Sequence, residues 1–301
     1  MILFARNIEH APQLATLIAT LRRTVPGVLL MVDQEGGRVA RLRPPHWRAH
    51  PPAAAFGNLY ARDKRAGLRA AWVGGALVGL DCAAAGFDIA AAPVLDRTIS
   101  GAHQVIGDRA FGDDSVAVAR LGRAFAAGLL AGGIQPVMKH APGHGRAMVD
   151  SHHALPQVDA NDLEADLLPF ALNTDLPWAM TAHIVYPAWD PSLPATLSPG
   201  VIGPIIRGRI GFNGVLVTDD INMQALAGAP AELAVRALAA GCDLACYCSG
   251  ELAPTAALLA AVPPLSEAAI ARLAAARSLA VRRRVALDAT ALAGERDRLL
   301  A

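Results

Sequence analysis

Short apolar runs alternate along the chain with longer stretches of helical period. Runs rich in Val, Leu, Ile and Ala predict seven strands, at residues 2–5, 28–32, 87–91, 136–139, 178–183, 214–218 and 243–248. Ala-, Leu- and Arg-rich stretches between them predict helices, among them residues 12–23, 63–79, 114–131, 162–173 and 230–240. Continuous apolar strands separated by helices pair in parallel, with both faces of the sheet covered. The pattern predicts an α/β fold, either a barrel or a doubly wound sheet.

The polar residues that follow these strands distinguish the two folds. Nearly every strand ends in charged or hydrogen-bonding residues: Arg6, Asn7, Asp33, Gln34, Glu35, Asp96, Lys139, His140, His183, Asp219 and Asp220. An open sheet collects its ligands at one switch point, whereas the loops that follow barrel strands share one mouth. Because almost all strand ends carry polar groups, we predict a (β/α)8 TIM barrel.

We expect a single domain over residues 1–301, because no linker or internal repeat interrupts the chain. Only seven strands are convincing, and the chain begins inside the first of them. We therefore expect either an eighth strand too weak to recognise or a barrel that is incomplete at the N-terminus. Residues 266–301 predict helices that pack on the outside of the barrel.

The composition is that of a globular protein, with 53% hydrophobic and 18% charged residues. A net charge of +1 without a basic stripe argues against nucleic acid as a partner. No uninterrupted apolar run reaches membrane-spanning length and no signal peptide is recognised, so we expect a cytoplasmic protein without a membrane partner. The four cysteines predict no disulfide framework, and Cys242, Cys246 and Cys248 are expected to be structural thiols on a buried strand.

The densest chemistry lies between Lys139 and Pro156, directly after a predicted strand. This segment holds four of the nine histidines: His140, His144, His152 and His153. A cationic, imidazole-rich loop at a strand end is where an α/β enzyme places its reactive groups. The segment therefore predicts a catalytic site.

Four motifs resemble glycoside hydrolase family 3, and specifically its single-domain bacterial β-N-acetylhexosaminidases of peptidoglycan recycling. They are Asp33-Gln-Glu-Gly-Gly-Arg-Val-Ala-Arg-Leu42, Ile106-Gly-Asp-Arg-Ala-Phe-Gly112, Lys139-His-Ala-Pro-Gly-His-Gly145 with Asp150-Ser-His152, and Thr218-Asp-Asp-Ile-Asn-Met223. The similarity extends from the first residues to about Cys248. It implies a TIM barrel with each motif at a strand end, which agrees with the pattern above.

Asp219 follows an apolar strand, so its carboxylate is expected at the carboxyl-terminal rim of the barrel. A retaining glycosidase needs an ionised carboxylate that forms a covalent glycosyl intermediate, and the resemblance implies that Asp219 is this nucleophile. Adjacent carboxylates in an extended chain point in opposite directions, so Asp220 is expected to support the loop or cap the next helix. From the strand pattern alone, helix capping by both acids is an equal alternative.

The resemblance also implies an acid/base pair of His152 with Asp150. Residues i and i+2 of an extended segment project to the same side, so the Asp150 carboxylate can orient the imidazole and favour its charged form. An imidazole with a pKa of about 6.5 can donate a proton to the leaving oxygen and then accept one from water. A solvated loop histidine is the alternative.

The resemblance assigns five side chains to the non-reducing N-acetylglucosamine: Asp33, Arg41, Arg109, Lys139 and His140. Such side chains supply donors and acceptors for sugar hydroxyls in a partly desolvated cup. An ion pair between Asp33 and Arg109 at the barrel rim is the structural alternative. His144 is assigned to loop structure, and Gly36 and Gly37 to a tight turn.

The chain departs from the family at Arg146-Ala147, where Asp-Thr usually follows the Gly-His-Gly segment. The Asp150–His152 pair is retained. The departure therefore concerns the contacts that hold the loop closed more than the reaction itself.

The expected protein is a monomeric, cytoplasmic, retaining exo-β-N-acetylglucosaminidase that needs neither metal nor cofactor. It would release N-acetylglucosamine from muropeptide-type disaccharides, as in the anhydro-muropeptides of peptidoglycan recycling, by double displacement. A phosphorylase stays open within the family, since a histidine acid/base does not repel an incoming phosphate. A β-glucosidase also stays open, because selectivity for the N-acetyl group comes only from the resemblance.

Two further alternatives lie outside this reaction class. One is an inactive sugar-binding barrel, against which the retention of Asp219 and of the Asp150–His152 pair argues. The other is a zinc hydrolase with His140 and His144 as ligands four residues apart on a helix. Pro142 and Gly143 between them disfavour that helix.

Overall fold

The computed structural model describes residues 1–151, 153–159 and 163–301. Seven parallel strands form one sheet whose order follows the chain. The strands are β1 (Ile2–Leu3), β2 (Met31–Val32), β3 (Ile89–Ala90), β4 (Gln135–Ala141), β5 (Trp178–Thr181), β6 (Val215–Asp220) and β7 (Leu244–Cys246). Two antiparallel hairpins join Gln34–Gly36 to Val39–Ala40 and Val185–Tyr186 to Asp190–Pro194.

Each of the seven predicted strands is present, and every ladder between neighbours is parallel. The sheet curls into part of a barrel, which confirms the predicted barrel-type α/β fold. Within the described residues β1 and β7 are its two edges and share no ladder. The predicted eighth strand is therefore not part of the sheet in the described part of the chain.

Helices follow most strands and cover the outer face of the sheet. They are α1 (Ala11–Thr24), α2 (Ala53–Arg62), α3 (Lys64–Ala85), α4 (Ser115–Ala131), α5 (Glu164–Ala171), α6 (Pro199–Val201), α7 (Pro230–Ala240), α8 (Leu252–Ala261), α9 (Glu267–Arg283) and α10 (Ala289–Leu300). A π-helical segment, Ile202–Arg209, continues α6. The predicted helical tail is confirmed by α9 and α10.

Helix boundaries follow ordinary capping chemistry. The Asp63 carboxylate accepts the amides of Arg65 and Ala66 at the start of α3, and Asp114 caps α4 in the same way. Gly86 ends α3 with a φ of 95°, a left-handed conformation that favours glycine. The caps are local, so the sequence signals them directly.

Helices α3 and α4 pack closely because glycines line their contact. A Cβ at Gly75 would lie 2.0 Å from the Phe125 carbonyl oxygen, and one at Gly128 would lie 2.1 Å from the Trp72 carbonyl oxygen. Helix α3 is long and apolar enough to cross a membrane by length and composition, and 61% of its apolar window is buried inside the protein. Its apolar side chains therefore build the core between the helices and the sheet.

The interior of the sheet holds a compact apolar cluster: Met31, Ile89, Ala91, Val137, Trp178, Met180, Val215, Val217 and Ala276. Ala276 comes from α9 and the other members come from the strands or lie directly beside them. The carboxyl ends of the parallel strands meet at one rim above this cluster. The polar residues at the strand ends are thereby brought together.

Candidate active site

A cavity of about 250 Å³ opens at this rim. Its lining includes seven of the eight predicted site residues: Asp33, Arg41, Arg109, Lys139, His140, Asp150 and Asp219. The eighth, His152, lies outside the described residues. Side chains far apart along the chain thus converge on one cavity, as the barrel prediction requires.

Asp33, directly after β2, forms ion pairs with two predicted sugar-binding cations. Arg41 Nη2 lies 3.0 Å from Asp33 Oδ2, and Lys139 Nζ lies 3.2 Å from Asp33 Oδ1. Arg109 does not share this contact, because it pairs with Glu35. The alternative of an Asp33–Arg109 ion pair is therefore wrong.

Glu35 is a central residue of the cavity that the sequence interpretation left without a role. Its carboxylate accepts two hydrogen bonds from Arg109, at 2.8 and 2.9 Å, and lies 2.6 Å from Lys139 Nζ. Burial alone would raise the pKa of Glu35, but Lys139 and Arg109 lower it to about 2. Burial opposes the charge of Lys139, yet Glu35 and Asp33 raise the pKa of that ammonium. The cations are thus held charged at the cavity wall.

Asp96 and His140 form a second buried pair. Asp96 is 1% exposed, and its Oδ2 lies 2.6 Å from His140 Nδ1. The same carboxylate accepts the backbone amides of His140 and His144. Burial raises the pKa of Asp96, but His140 and, to a smaller extent, His144 more than offset this and the pKa is lowered. Because Asp96 holds Nδ1, the other ring nitrogen of His140 faces the cavity.

Asp219 lies at the end of β6, opposite this imidazole. His140 Nε2 is 3.9 Å from Asp219 Oδ2, and Asp219 Oδ1 accepts the Asp220 amide at 2.8 Å. Burial raises the pKa of Asp219, but His140, His183, the Asp220 amide and Lys139 together lower it to about 2. The carboxylate is therefore ionised at neutral pH and available as a nucleophile.

Asp220 has the structural role predicted for it. Its Oδ1 accepts the amides of Asn222 and Cys248, both at 3.0 Å. It therefore connects the loop after β6 to the chain after β7. Burial raises the pKa of Asp220, in contrast to the lowered pKa of Asp219.

His183, after β5, hydrogen-bonds the backbone next to Asp219. Its Nε2 donates to the Asp220 carbonyl oxygen at 3.0 Å, and its Nδ1 lies 2.7 Å from Thr196 Oγ1. Burial lowers the pKa of His183. A neutral, fully hydrogen-bonded imidazole thus fixes the backbone beside Asp219.

The loop after β4 folds back over the cavity. His144 Nε2 lies 3.1 Å from Ser151 Oγ, and the Ser151 carbonyl accepts the Ala225 amide at 3.2 Å. Burial lowers the pKa of His144 to about 4. The predicted structural role of His144 in the loop is confirmed.

Asp150 lines the cavity on this loop. The amides of His153 and Ala154 both donate to its carbonyl oxygen, at 2.9 and 3.1 Å. The extended conformation expected for residues 150–152 includes His152 and therefore falls outside the described residues. The pairing of Asp150 with His152 stays a prediction, because His152 lies outside the described residues.

Arg146, where the chain departs from the family motif, anchors the loop to α5. Its Nε lies 2.7 Å from Asp166 Oδ2, and Arg97 approaches the other Asp166 oxygen at 3.6 Å. Tyr186 adds a second tie by donating to the Gly143 carbonyl at 2.6 Å. The loop position therefore rests on contacts with α5 and with the hairpin after β5.

The geometry does not support the zinc alternative. His140 belongs to strand β4, which ends at Ala141, so His140 and His144 do not share a helix face. In the described part of the chain, no group of three or more His, Cys, Asp or Glu side chains could hold a metal ion.

Comparison with known families agrees with the geometry. Residues 1–280 match the glycosyl hydrolase family 3 N-terminal domain. The chain belongs to glycosyl hydrolase family 3. The prediction of a glycoside hydrolase of the β-hexosaminidase group is confirmed by the relatives of this family 3 chain.

Two curated relatives are β-hexosaminidases. That of Xylella fastidiosa (strain 9a5c) is 41% identical over 261 residues, which cover 84% of this chain and 76% of the relative. That of Pseudomonas aeruginosa (strain LESB58) is 41% identical over 270 residues, which cover 86% and 78%.

Two solved structures share the fold. NagZ from Neisseria gonorrhoeae, in complex with N-trifluoroacetyl-D-glucosamine, is 32% identical, with a TM-score of 0.88 and coverage of 100% of this chain and 90% of that one. A family 3 β-N-acetylglucosaminidase from Paenibacillus sp. str. FPU-7 is 33% identical, with a TM-score of 0.83 and coverage of 99% and 61%.

Proposed function

We propose that this protein is a retaining exo-β-N-acetylglucosaminidase that acts through a covalent glycosyl-enzyme intermediate. The observation that carries the proposal is an ionised Asp219 carboxylate in the same cavity as Asp150. A carboxylate nucleophile and an acid/base on opposite sides of the glycosidic bond are what double displacement requires.

Asp219 attacks the anomeric carbon in the first step. Its low pKa keeps it ionised, and its second oxygen is held by the Asp220 amide. The acid/base role is proposed for His152, with Asp150 as the carboxylate that orients it. His152 protonates the departing oxygen and then deprotonates the water that hydrolyses the intermediate.

The cation-rich wall supports binding of one sugar ring. Lys139, Arg41 and Arg109 are each held by Asp33 or Glu35, so their remaining donors have fixed directions. A volume of about 250 Å³ lies below the range of about 300–1,000 Å³ that is usual for larger ligands. We infer that one non-reducing sugar enters this cavity while the aglycone stays outside it, which is an exo mode.

N-Acetylglucosamine is the proposed sugar because a related structure holds N-trifluoroacetyl-D-glucosamine. Anhydro-muropeptides are the proposed natural substrates on the basis of the resemblance to peptidoglycan-recycling enzymes. Action on such soluble disaccharides fits a cytoplasmic protein. The four free thiols fit the same location, because the cytosol keeps cysteines reduced.

The first test compares hydrolysis of 4-nitrophenyl β-N-acetylglucosaminide with that of the matching glucoside. We expect clear preference for the N-acetylglucosaminide, and a preference for the glucoside would contradict the proposal. Product analysis with and without inorganic phosphate tests the phosphorylase alternative, because phosphorolysis gives a sugar 1-phosphate.

The second test separates the two catalytic roles. Asp219→Ala should abolish turnover, and azide should restore formation of an α-glycosyl azide because a small anion can occupy the vacated space. His152→Ala should spare substrates with good leaving groups far more than poor ones. Equal losses of His152→Ala on both substrate types would remove the acid/base role of this residue.

A further inference from the structure

Two thiols lie side by side in the wall of the sugar cavity. Cys246 ends β7 and Cys248 follows two residues later, with their Sγ atoms 3.4 Å apart. Both residues line the cavity that contains Asp219. Neither the glycosidase reaction nor the sugar-binding set uses these sulfurs.

The backbone around the pair is fixed at three points. The Cys246 amide donates to Thr218 Oγ1 at 2.8 Å, and the Cys248 amide donates to Asp220 Oδ1 at 3.0 Å. Arg6 Nη2 donates to the Cys248 carbonyl oxygen at 2.6 Å. The two sulfurs are therefore held close together before any ligand arrives.

We propose that Cys246 and Cys248 form a chelating site for one thiophilic centre, a soft metal cation or a trivalent arsenical. Thiolate sulfur selects soft centres over magnesium and calcium, which prefer oxygen. Because the site lies in the cavity wall, its occupation narrows the sugar pocket and inhibits hydrolysis.

The distance between the sulfurs suits chelation better than a disulfide. A tetrahedral cation with metal–sulfur bonds of about 2.3 Å holds two sulfurs about 3.8 Å apart, so the pair needs to open by only a few tenths of an ångström. A disulfide requires about 2.0 Å, so the sulfurs would have to close by more than an ångström. Pyramidal trivalent arsenic, with bond angles nearer a right angle, holds sulfurs closer together than a tetrahedral cation does.

The Cys248 thiol is protected from oxidation in the resting protein. The hydrogen bond with the Cys246 thiol, followed by burial, raises the pKa of Cys248. Oxidation by peroxide proceeds through the thiolate, so a raised pKa slows it. A thiophilic centre instead displaces the thiol protons as its bonds to sulfur form.

The arsenical step balances without an oxidant. Phenylarsine oxide forms two arsenic–sulfur bonds with the two thiols, and both thiol protons leave with the oxide oxygen as one water molecule. Arsenic stays trivalent, and both sulfurs keep their oxidation state. In the described residues no group of three or more His, Cys, Asp or Glu side chains forms a complete metal site, so water would fill the other positions around a cation.

The experiment treats the reduced protein with stoichiometric phenylarsine oxide and records the intact mass. We expect one adduct per chain that survives excess 2-mercaptoethanol but is removed by a dithiol, because only a dithiol can replace a two-sulfur chelate. This comparison uses the unaltered protein and needs no variant to fold.

Single variants assign the site. Cys246→Ser and Cys248→Ser should each lose the dithiol-specific adduct, whereas Cys242→Ala should keep it. Cys242 is the matched control because it is a buried thiol of the same segment whose Sγ contacts the Thr196 carbonyl oxygen instead. Each variant is compared with its own untreated rate, and the arsenical should remove most turnover only where both thiols are present.

Several outcomes would overturn the proposal. They are the absence of an adduct, equal release by monothiol and dithiol, persistence of the adduct in both serine variants, or full turnover of the adduct. Inhibition that requires peroxide and is reversed by a reductant would show a disulfide in place of a chelate. The mass measurement does not depend on the sugar substrate, so its failure is distinguishable from failure of the proposed glycosidase function.

Discussion

At the scale of single residues, the cavity is organised by carboxylates that hold cations in place. Glu35 is the centre of this arrangement, because its buried carboxylate contacts both Arg109 and Lys139. Removing one partner of a buried ion pair leaves the other charge uncompensated, which costs about 3–5 kcal/mol. Glu35 therefore positions two cations that we propose bind the sugar, without needing to touch the sugar itself.

We predict that Glu35→Gln lowers the free energy of unfolding by about 3 kcal/mol and raises KM, since buried Arg109 loses its carboxylate partner and Lys139 keeps only Asp33. Asp108→Asn is the matched control because it breaks the exposed ion pair with Arg38, which should cost less than about 1 kcal/mol. Urea unfolding and steady-state kinetics measure both effects. Equal stability of the two variants would contradict the positioning role.

His144 predicts an acid-dependent loss of stability. Its pKa is about 4 in the folded protein and about 6.5 when exposed, so the unfolded chain binds more protons between these pH values. Stability should therefore fall as the pH is lowered from about 6.5 towards 4, by up to about 3 kcal/mol. The lowered pKa values of the Glu35 and Asp219 carboxylates reduce the stability only at still lower pH, where these groups take up protons in the unfolded chain.

Urea unfolding at pH 7 and pH 5 measures this loss. His144→Gln should make the stability less dependent on pH. Part of the pH dependence should remain, because the pKa of buried His183 is also lowered. Substitution of the exposed His46 by Gln is the control and should leave the slope unchanged. An unaltered slope in His144→Gln would show that this imidazole is not kept neutral by burial.

The spacing of Asp33 and Glu35 in the sequence was sufficient to predict that Glu35 lines the cavity. Asp33 and Glu35 are two residues apart at a strand end, so in an extended segment both project into the cavity. Gln34 between them points the other way and is fully buried, where it binds the Leu42 backbone. The contacts of Asp96 and His183 could not be predicted, because their partners come from other segments of the chain.

At the scale of elements, the loop after β4 is held in place by a contact that differs from the family motif. Arg146 ties it to Asp166 of α5, in place of the Asp-Thr usual in the family. This contact anchors the loop that carries Asp150, so we expect it to affect the proposed reaction only through the position of that loop.

We predict that Arg146→Ala lowers kcat by about 10-fold to 100-fold on poor leaving groups and much less on aryl substrates, because a misplaced acid/base matters most where protonation is needed. Arg123→Ala is the control, since it removes an exposed pair with Asp175 elsewhere. Kinetics on both substrate types test this. Equal losses on the two types would assign Arg146 to stability alone.

Helix boundaries show where local reasoning fails. The predicted helix at residues 230–240 coincides with α7, Pro230–Ala240. The helix predicted to end at residue 79 instead continues to Ala85 as α3. Gly79 does not end this helix but lets it approach α4 closely, since a Cβ at Gly79 would lie 2.9 Å from the Leu129 carbonyl oxygen. A glycine that ends a helix and a glycine that packs against another helix look alike in sequence.

At the scale of the whole molecule, the curled sheet brings the strand ends to one rim and lets protein groups neutralise one another. Asp33 and Glu35 pair with Lys139 and Arg residues, and Asp96 pairs with His140. Carboxylates that have cationic partners from the protein do not need a metal ion for charge balance.

We therefore predict that dialysis against a chelator leaves the hydrolysis rate unchanged, because the charges of the cavity are balanced within the chain. Metal analysis of the same dialysed sample is the control that confirms removal. A loss of turnover that a divalent cation restores would contradict this expectation.

The sequence by itself determined the seven strands, most helices, the parallel barrel-type fold and the set of polar residues at the strand ends. It could do so because periodicity, helix caps and the polar residues after each strand are properties of neighbouring residues. Tertiary structure alone decided which of those residues pair: Glu35 with Arg109 and Lys139, Asp96 with His140, and Arg146 with Asp166. These contacts join segments from different strands and helices, and only the curvature of the sheet sets the distances between them.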